Sequence, residues 1–420
     1  MSKGRVVKGA VEIRYDSELG EGRTVQYDDI TVGGMPIKTV LRSIMNDVHC
    51  NVEAAKPELK RLLIDLFDTI WDLPLSTDHD LVFRDAADRV HEVFVSGIWN
   101  FLSTNMGDEP ALSYMFWAFE VIGDWERATP GKERYIHKGT PFFFAAISAL
   151  RRSNVDLGFL LLEAGEEVDR TTYVKAGRLG EEVSRPGNLT LRLDPNPNNA
   201  LGGVVMELRR ICEGRLKEFS DTIAQSGFAP LSMPDFDRYF LQNANWRSGT
   251  KFWVYHLFWS KLMVTDLNAV SVPRGGAFGR RRQSEVLLGI LTTVEEILRQ
   301  VDGTHGPRDR FVSVISEICS RYMSGSPKSD DVEKALSALT KGFGENVDKC
   351  LAHWSSPKSV APTTAFPWYL QWIEPGRFLR NQVAHILDAP DEVQTRWADI
   401  ERVVVFALFS AVWLFRDRSK

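Results

Sequence analysis

The feature that most constrains the fold is an apolar run near the end of the chain, from Val403 to Phe415 (VVVFALFSAVWLF). A helix that crosses a bilayer needs about 20 apolar residues, so this run is too short to do so. It carries no charged residue and therefore has no polar face to present to water. The run predicts a helix that is buried on nearly all sides, in a protein core or in a subunit interface, and it predicts no membrane partner.

Helical spacing dominates the chain from Pro36 onward. The segment 57–73 (PELKRLLIDLFDTIWDL) places six apolar residues on one face at three-and-four spacing: Leu59, Leu62, Leu63, Leu66, Phe67 and Ile70. Strands and helices do not alternate as a parallel α/β sheet requires, so the predicted fold class is mainly α. Further helices are predicted at 82–103, 111–123, 140–166 (a helical hairpin with small residues at its crossing), 201–224, 235–268, 283–302, 308–324, 329–353, 365–374, 376–387 and 390–416, with Pro375 and Gly376 breaking the helix between 374 and 376.

Two segments at the N-terminus and two breaker segments complete the organisation. Residues 5–15 and 23–33 show β-branched residues near alternation and predict a small strand pair. Segments 184–200 and 227–234 are rich in residues that end helices. A chain of 420 residues is longer than one core usually holds. We therefore predict a mainly helical domain at 1–234, with a short β hairpin and a sensor, regulatory or interaction role, and a helical bundle at 235–420.

Composition and short motifs give expectations for the protein's partners, its cellular compartment and its cofactors. The formal net charge is −5, so nucleic acid would have to be bound by a local basic patch. The cysteines (Cys50, Cys212, Cys319 and Cys350) form no CxxC pair, which predicts reduced thiols in a cytoplasmic protein. The N-terminus lacks the apolar segment of a signal peptide. Without HExxH, a His/Asp cluster, GxGxxG or a Walker motif, we expect no metal and no cofactor.

One segment carries residues suited to acid–base chemistry at helical spacing: Arg377-Phe-Leu-Arg380-Asn381-Gln-Val-Ala-His385-Ile. Asn381 and His385 are four residues apart and therefore share one helix face. Histidine titrates near neutral pH and suits proton transfer, whereas arginine stays charged and can bind phosphate oxygens through two parallel hydrogen bonds.

This segment resembles the RNxxxH form of the Arg-x(4–6)-His signature of HEPN domains, which are compact helical bundles. Three other pairs share the spacing: Arg42–His49, Arg84–His91 and Arg299–His305. In the family a polar residue often follows the arginine, and only Asn381 and Asp85 meet that condition here. The motif should also open a helix that an apolar helix follows, as the pattern at 380–387 and 390–416 predicts. The resemblance covers roughly the last 140 to 180 residues and does not extend to the N-terminal half.

The resemblance implies a metal-independent endoribonuclease with Arg380, Asn381 and His385 as its catalytic residues and RNA as its partner. Many family members act in phage defence, toxin or stress-response systems, and two copies of the motif meet across a homodimer. A regulatory protein or ligand would then act at the N-terminal domain. Leu387 stands where a subgroup of toxins carries tyrosine, so adenylylation control of that kind is not expected.

Three alternatives stay open from the sequence. The segment PRGGAFGRRRQ, with Arg274, Arg280, Arg281 and Arg282, is the densest basic stretch and is a candidate RNA contact, together with Arg377. The pair Arg84–His91 is a candidate for a second, degenerate HEPN-like unit, although a solvated amphipathic helix explains it as well. The bundle could also be a non-catalytic scaffold that mediates dimerisation or partner binding.

Overall fold

The computed structural model describes most of the chain. It describes residues 3–16, 30–50, 52–72, 90–128, 138–152, 154–177, 185–196, 201–225, 228–243, 254–255, 257–258, 277–304, 306, 309–322, 328–343, 349–351, 370–384 and 396–418. The chain divides into two compact units, one of residues 1–191 and 196–202 and the other of 192–195 and 203–420. Within the described residues, helices dominate, and the strands form one small sheet, so the predicted mainly α class is confirmed.

The first unit begins with a four-stranded antiparallel sheet in the order β1-β2-β3-β4. Its strands are β1 (Lys3–Lys8), β2 (Val11–Asp16), β3 (Ile30–Val32) and β4 (Met35–Pro36). The predicted strand at 5–15 is wrong in detail, because this segment is itself a hairpin in which Lys8 pairs with Val11. Gly9 has a φ of 53°, which glycine adopts without steric cost, and so turns the chain between β1 and β2. Of the predicted strand at 23–33, residues 30–32 form β3 and residues 23–29 lie outside the described part.

The other regular elements described in the first unit are helices. They are α1 (Ile37–Cys50), α2 (Val52–Trp71), a π-helical segment (Val90–Gly97) that continues into α3 (Ile98–Asn105), α4 (Asp108–Ala128), α5 (Gly139–Arg151), α6 (Val155–Ala176) and α7 (Pro186–Leu191). The described residues of the predicted apolar face of α2, Leu62, Leu63, Leu66, Phe67 and Ile70, are buried. The Phe67 ring centroid is 4.8 Å from that of Trp125 and 5.3 Å from that of Phe94. Aromatic packing therefore joins α2 to α4 and to the π-helical segment.

Helices α5 and α6 form the predicted hairpin, and small residues let them approach closely. A Cβ atom added at Gly158 would lie 2.5 Å from the Leu150 side chain, and one at Gly165 would lie 3.1 Å from the Gly139 carbonyl oxygen. The amide oxygen of Asn154 caps α6 by accepting a hydrogen bond from the Leu157 N–H at 3.2 Å. The predicted hairpin between 140 and 166 is therefore confirmed, and glycine is required at its crossing.

The second unit is a set of helices. They are α8 (Gly202–Ala224), α9 (Met233–Phe236) with a π-helical continuation (Asp237–Leu241), α10 (Ala277–Asp302), α11 (Phe311–Tyr322), α12 (Ser329–Phe343), α13 (Leu370–Ala384) and α14 (Trp397–Arg418). This unit includes residues 203–234, which the sequence-based division assigned to the N-terminal domain. The reason is that α8 packs on α14, with the Phe219 ring 5.4 Å from the Phe406 ring and 5.6 Å from the Phe409 ring.

Helix α14 is the centre of the second unit. Every residue from Val403 to Leu414 is buried, and Ser410 donates its hydroxyl hydrogen to the Phe406 carbonyl oxygen at 2.7 Å, so its polar group is satisfied inside the helix. The predicted buried helix is therefore confirmed, and its burial is supplied by the chain itself. Among the helices in the described ranges, none combines the length and the apolar character that membrane crossing requires.

The predicted break at Pro375 and Gly376 is wrong. Helix α13 runs from Leu370 to Ala384 with Pro375 inside it. A proline within a helix removes one hydrogen bond and costs about 3 kcal/mol. The residues from Trp372 to Gly376 are all buried, and the apolar packing of this turn offsets that cost. Local propensity is thus overridden by tertiary contacts.

A buried carboxyl group in the first unit makes its stability depend on pH. Asp169 on α6 is 7% exposed, and its Oδ1 atom accepts a hydrogen bond from the Gly139 N–H at 2.8 Å. Burial raises the pKa of Asp169 from 3.8 to about 6, although the Gly139 N–H and the charge of Arg185 both favour the ionised form. The folded state therefore holds the proton more tightly than the unfolded state does.

We predict that Asp169→Asn stabilises the first unit at neutral pH. The stability that protonated Asp169 contributes is fully present below pH 3.8 and is lost as the pH rises through about 6. The amide cannot ionise, so its advantage in the free energy of unfolding should grow from small at pH 4 to about 3 kcal/mol at pH 8. Urea unfolding of both proteins across this range measures the difference. Glu167→Gln, at an exposed position on α6, is the control, and an Asp169→Asn advantage that does not change with pH would contradict the prediction.

Candidate functional site

The predicted catalytic motif lies at the C-terminal end of α13. Arg380 and Asn381 occupy the last turns of this helix, because the helix begins at Leu370 and not at residue 376 as expected. The motif therefore does not open a helix. His385 follows the last described residue of α13, Ala384, and lies outside the described residues.

Arg380 is held at the edge of the bundle by one carboxylate and one amide. Its Nη2 atom lies 3.1 Å from Oε2 of Glu295 on α10, and its Nη1 atom donates to the Asn381 Oδ1 atom at 3.4 Å. The side chain is 34% exposed, so Arg380 is partly accessible to solvent. Its Nε–H is buried and has no hydrogen-bond acceptor among the residues that the structure describes. The charged group is thus fixed on one side and open on another.

Glu295 is shared between two arginines. Its Oε1 atom accepts hydrogen bonds from Arg299, from Nη2 at 2.5 Å and from Nε at 3.2 Å, while its Oε2 atom faces Arg380. Arg299 also donates to the carbonyl oxygens of Gly306 at 2.5 Å and Asp309 at 2.7 Å. One negative charge therefore lies between two positive charges, and this group of three side chains keeps a net charge of +1. A net positive charge at a partly exposed position favours binding of an anion.

The close approach of α13 and α10 that brings Arg380 to Glu295 occurs one helical turn earlier, at Gly376 and Leu291. A Cβ atom at Gly376 would lie 3.1 Å from Leu291 Cδ2 on α10 and 3.3 Å from Ala407 Cβ on α14, so three helices meet at this glycine. Arg380 lies four residues beyond Gly376 on α13, and Glu295 lies four residues beyond Leu291 on α10. Four residues are about one helical turn. Gly376 thus fixes the register that places the two side chains opposite each other.

Arg377, a predicted RNA contact, is directed to a different partner. It is 11% exposed, and it donates two hydrogen bonds to Glu374, from Nη2 at 2.5 Å and from Nε at 2.8 Å. Glu374 is fully buried. Burial, and then the charge of Glu374, raises the pKa of the Cys319 and Cys350 thiols far above their ordinary range. The geometry gives Arg377 a role inside the bundle, and RNA binding by this residue stays a prediction.

The other predicted site residues are described only in part. Arg280, Arg281 and Arg282 lie on the first turns of α10, but their side chains, and all of Arg274, fall outside the described residues. Arg84 and Asp85 also lie outside the described residues. His91 lies in the π-helical segment of the first unit, where burial and then the charge of Arg185 lower its pKa to about 3, so it is neutral at pH 7.

Sequence reasoning missed Glu295, and it noted Arg299 only for its spacing to His305. The spacing of these two residues, four apart on a predicted helix, does predict a local ion pair. Nothing in the sequence connects that pair to Arg380, because the connection depends on how α10 and α13 pack. Where side chains are described, no group of three or more His, Cys, Asp or Glu is placed to hold a metal ion. Cys212, Cys319 and Cys350 are free thiols, as predicted for three of the four cysteines.

We predict that Arg377→Met destabilises the second unit. The change removes the cation that donates two hydrogen bonds to a fully buried carboxylate, and such losses cost about 3 kcal/mol or more. Urea unfolding should show a lower midpoint. The double variant Glu374→Gln/Arg377→Met should recover most of the loss, because the buried charge is then absent. Equal stability of Arg377→Met and the wild type would contradict a structural role.

Comparisons with known proteins assign no family to the chain. It matches no family model, no curated protein and no solved structure. The function is therefore inferred from the residues of the site and from their chemistry.

Proposed function

We propose that the chain is a metal-independent endoribonuclease of the HEPN type, with Arg380, Asn381 and His385 at its active site. The observation that supports this most is the state of Arg380, a partly exposed guanidinium that a carboxylate holds without cancelling the local positive charge. A second support is the arrangement around it. The motif helix α13 packs on α14, whose uncharged stretch from Val403 to Leu414 is buried throughout, in a unit whose described elements are helices, as a HEPN-like bundle would require.

The proposed reaction needs a base, an acid and a positive charge. The histidine of one motif removes the proton from a ribose 2′-hydroxyl, and the oxygen attacks the adjacent phosphorus. The bond from phosphorus to the 5′-oxygen breaks, and that oxygen takes a proton from a second histidine. The products are a 2′,3′-cyclic phosphate and a 5′-hydroxyl. Arg380 donates hydrogen bonds to the non-bridging phosphate oxygens as negative charge develops on them, and Asn381 orients the imidazole or a phosphate oxygen.

The HEPN resemblance implies a homodimer, which would supply the two proton-transfer groups of this mechanism, since one motif has one histidine. We therefore propose that two protomers each contribute Arg380 and His385 to a composite site. Arg274, Arg280, Arg281 and Arg282 would bind the RNA backbone beyond it. The first unit would sense, inhibit or recruit, and the proposed setting is phage defence, toxin action or stress response in the cytoplasm.

One observation favours a second candidate, a non-catalytic scaffold. Both described arginines of the motif segment are in ion pairs, Arg377 with Glu374 and Arg380 with Glu295. Arginines placed for stability alone would show the same contacts. The scaffold and the nuclease differ in what loss of the motif does, because a scaffold loses stability or partner binding and a nuclease loses chemistry.

We predict that the purified protein cleaves RNA in EDTA and leaves 2′,3′-cyclic phosphate ends. His385→Ala should abolish cleavage, and Arg380→Ala should reduce kcat/KM at least about 100-fold, since it removes the charge that stabilises the transition state. Electrophoresis of a labelled RNA, with mass spectrometry of the product ends, measures both effects.

The matched control is Arg310→Ala, because Arg310 is a 73% exposed arginine of the same unit that pairs with Glu333. Its cleavage rate should equal that of the wild type. Absence of cleavage by the folded wild-type dimer would favour the scaffold. Cleavage that needs a metal and survives His385→Ala would place the active site elsewhere.

A further inference from the structure

Glu295 is the carboxylate that pairs with the Arg380 guanidinium. It is 12% exposed on α10, and both of its carboxylate oxygens are occupied, Oε1 by Arg299 and Oε2 by Arg380. Arg299, at 15% exposed, is itself held by the carbonyl oxygens of Gly306 and Asp309. A continuous set of contacts therefore runs from the backbone after α10 through Arg299 and Glu295 to Arg380.

We propose that Glu295 is a positioning residue for Arg380 in RNA cleavage, an inference that rests on the proposed ribonuclease function. It acts through Arg380 and does not itself touch the RNA. An arginine side chain has many rotamers, and ordering it costs conformational entropy. Glu295 orders the Arg380 side chain before the phosphate binds. The free energy of RNA binding is then not reduced by the cost of ordering that side chain.

The sharing of Glu295 explains how it can orient Arg380 without blocking it. A carboxylate that faced Arg380 alone would neutralise it and compete with the phosphate. Here Arg299 donates two hydrogen bonds to the same carboxylate, so two positive charges surround one negative charge. Among the described contacts, Glu295 reaches Arg380 through Nη2, and the Arg380 side chain is 34% exposed. Each Nη atom carries two N–H groups, and the described contacts with Glu295 and Asn381 use one on each, so donors remain for phosphate oxygens.

The contact also has a fixed geometry. Glu295 lies on α10 one turn beyond Leu291, where Gly376 brings α13 into close contact. The backbone positions of both partners are thus set by packing and not by the ion pair. A substitution at Glu295 should therefore change the orientation of Arg380 more than it changes the fold of the unit.

The test is the steady-state kinetics of RNA cleavage by Glu295→Gln, which keeps the shape of the side chain and removes its charge. A misplaced catalytic group costs on the order of 100-fold in rate, so kcat should fall about 10- to 100-fold while KM changes less than about 3-fold. Glu295→Asp, which keeps the charge but shortens the side chain by one methylene, should lower kcat as well. It provides a second variant if Glu295→Gln does not fold. Glu333→Gln, the same change in the Arg310–Glu333 ion pair of this unit, is the control and should keep the wild-type kcat.

A double-mutant cycle separates positioning from a structural role. If Glu295 acts through Arg380, adding Glu295→Gln to Arg380→Ala should cause no further loss of kcat. The Nε–Hε signal of Arg380, assigned in ¹⁵N spectra through Arg380→Lys, should broaden or shift in Glu295→Gln and stay unchanged in Glu333→Gln.

The outcomes distinguish this proposal from the function on which it rests. If the wild type does not cleave RNA, the ribonuclease function is overturned, and positioning for cleavage with it. If the wild type cleaves RNA and folded Glu295→Gln has the wild-type kcat, only the positioning role is overturned. A rise in kcat/KM in Glu295→Gln would also overturn the positioning role. So would an equal loss of kcat on adding Glu295→Gln to the wild type and to Arg380→Ala.

Discussion

The close approach of three helices at Gly376 is the constraint on which the second unit depends. An added methyl group there would lie 3.1 Å from Leu291 Cδ2 on α10 and 3.3 Å from Ala407 Cβ on α14, closer than side chains normally pack. The contact lies beside Pro375, inside a helix that local propensity alone would interrupt. The packing of α13 against α10 and α14 therefore stabilises a helix that Pro375 disfavours. Everything that α13 carries, including the candidate site, is positioned by that packing.

Helix α13 carries one arginine in a buried ion pair and another that is partly exposed at the candidate site. Glu374 and Arg377 form an ion pair that the bundle encloses, whereas Arg380 reaches Glu295 at the edge and stays partly exposed. A buried ion pair contributes little net stability but is costly to break from one side. A partly exposed arginine beside a shared carboxylate is instead available to an incoming anion. The same residue type thus has two roles within one turn of helix.

Periodicity in the sequence predicted most of the helices and the burial of the final one, because apolar spacing reports directly which face meets the core. It did not predict the hairpin turn at Gly9 inside a segment that reads as one strand, nor the uninterrupted course of α13 through Pro375. Both depend on contacts between distant residues. The Arg380–Glu295 pair shows the same limit in the site, since only the packed register of α10 and α13 brings these two side chains within 3.1 Å.

The burial of α14 also bears on how two protomers could meet. An apolar run such as 403–415 could serve either a core or a subunit interface, and here residues 403–414 are buried within their own unit. The apolar character of the run is therefore explained without a partner, and a composite site would have to form across other surface. Arg380 limits which surface, because its Nη2 atom faces Glu295 and its Nε–H is buried. A phosphate, and the second motif with it, would have to approach the remaining, exposed edge of the guanidinium.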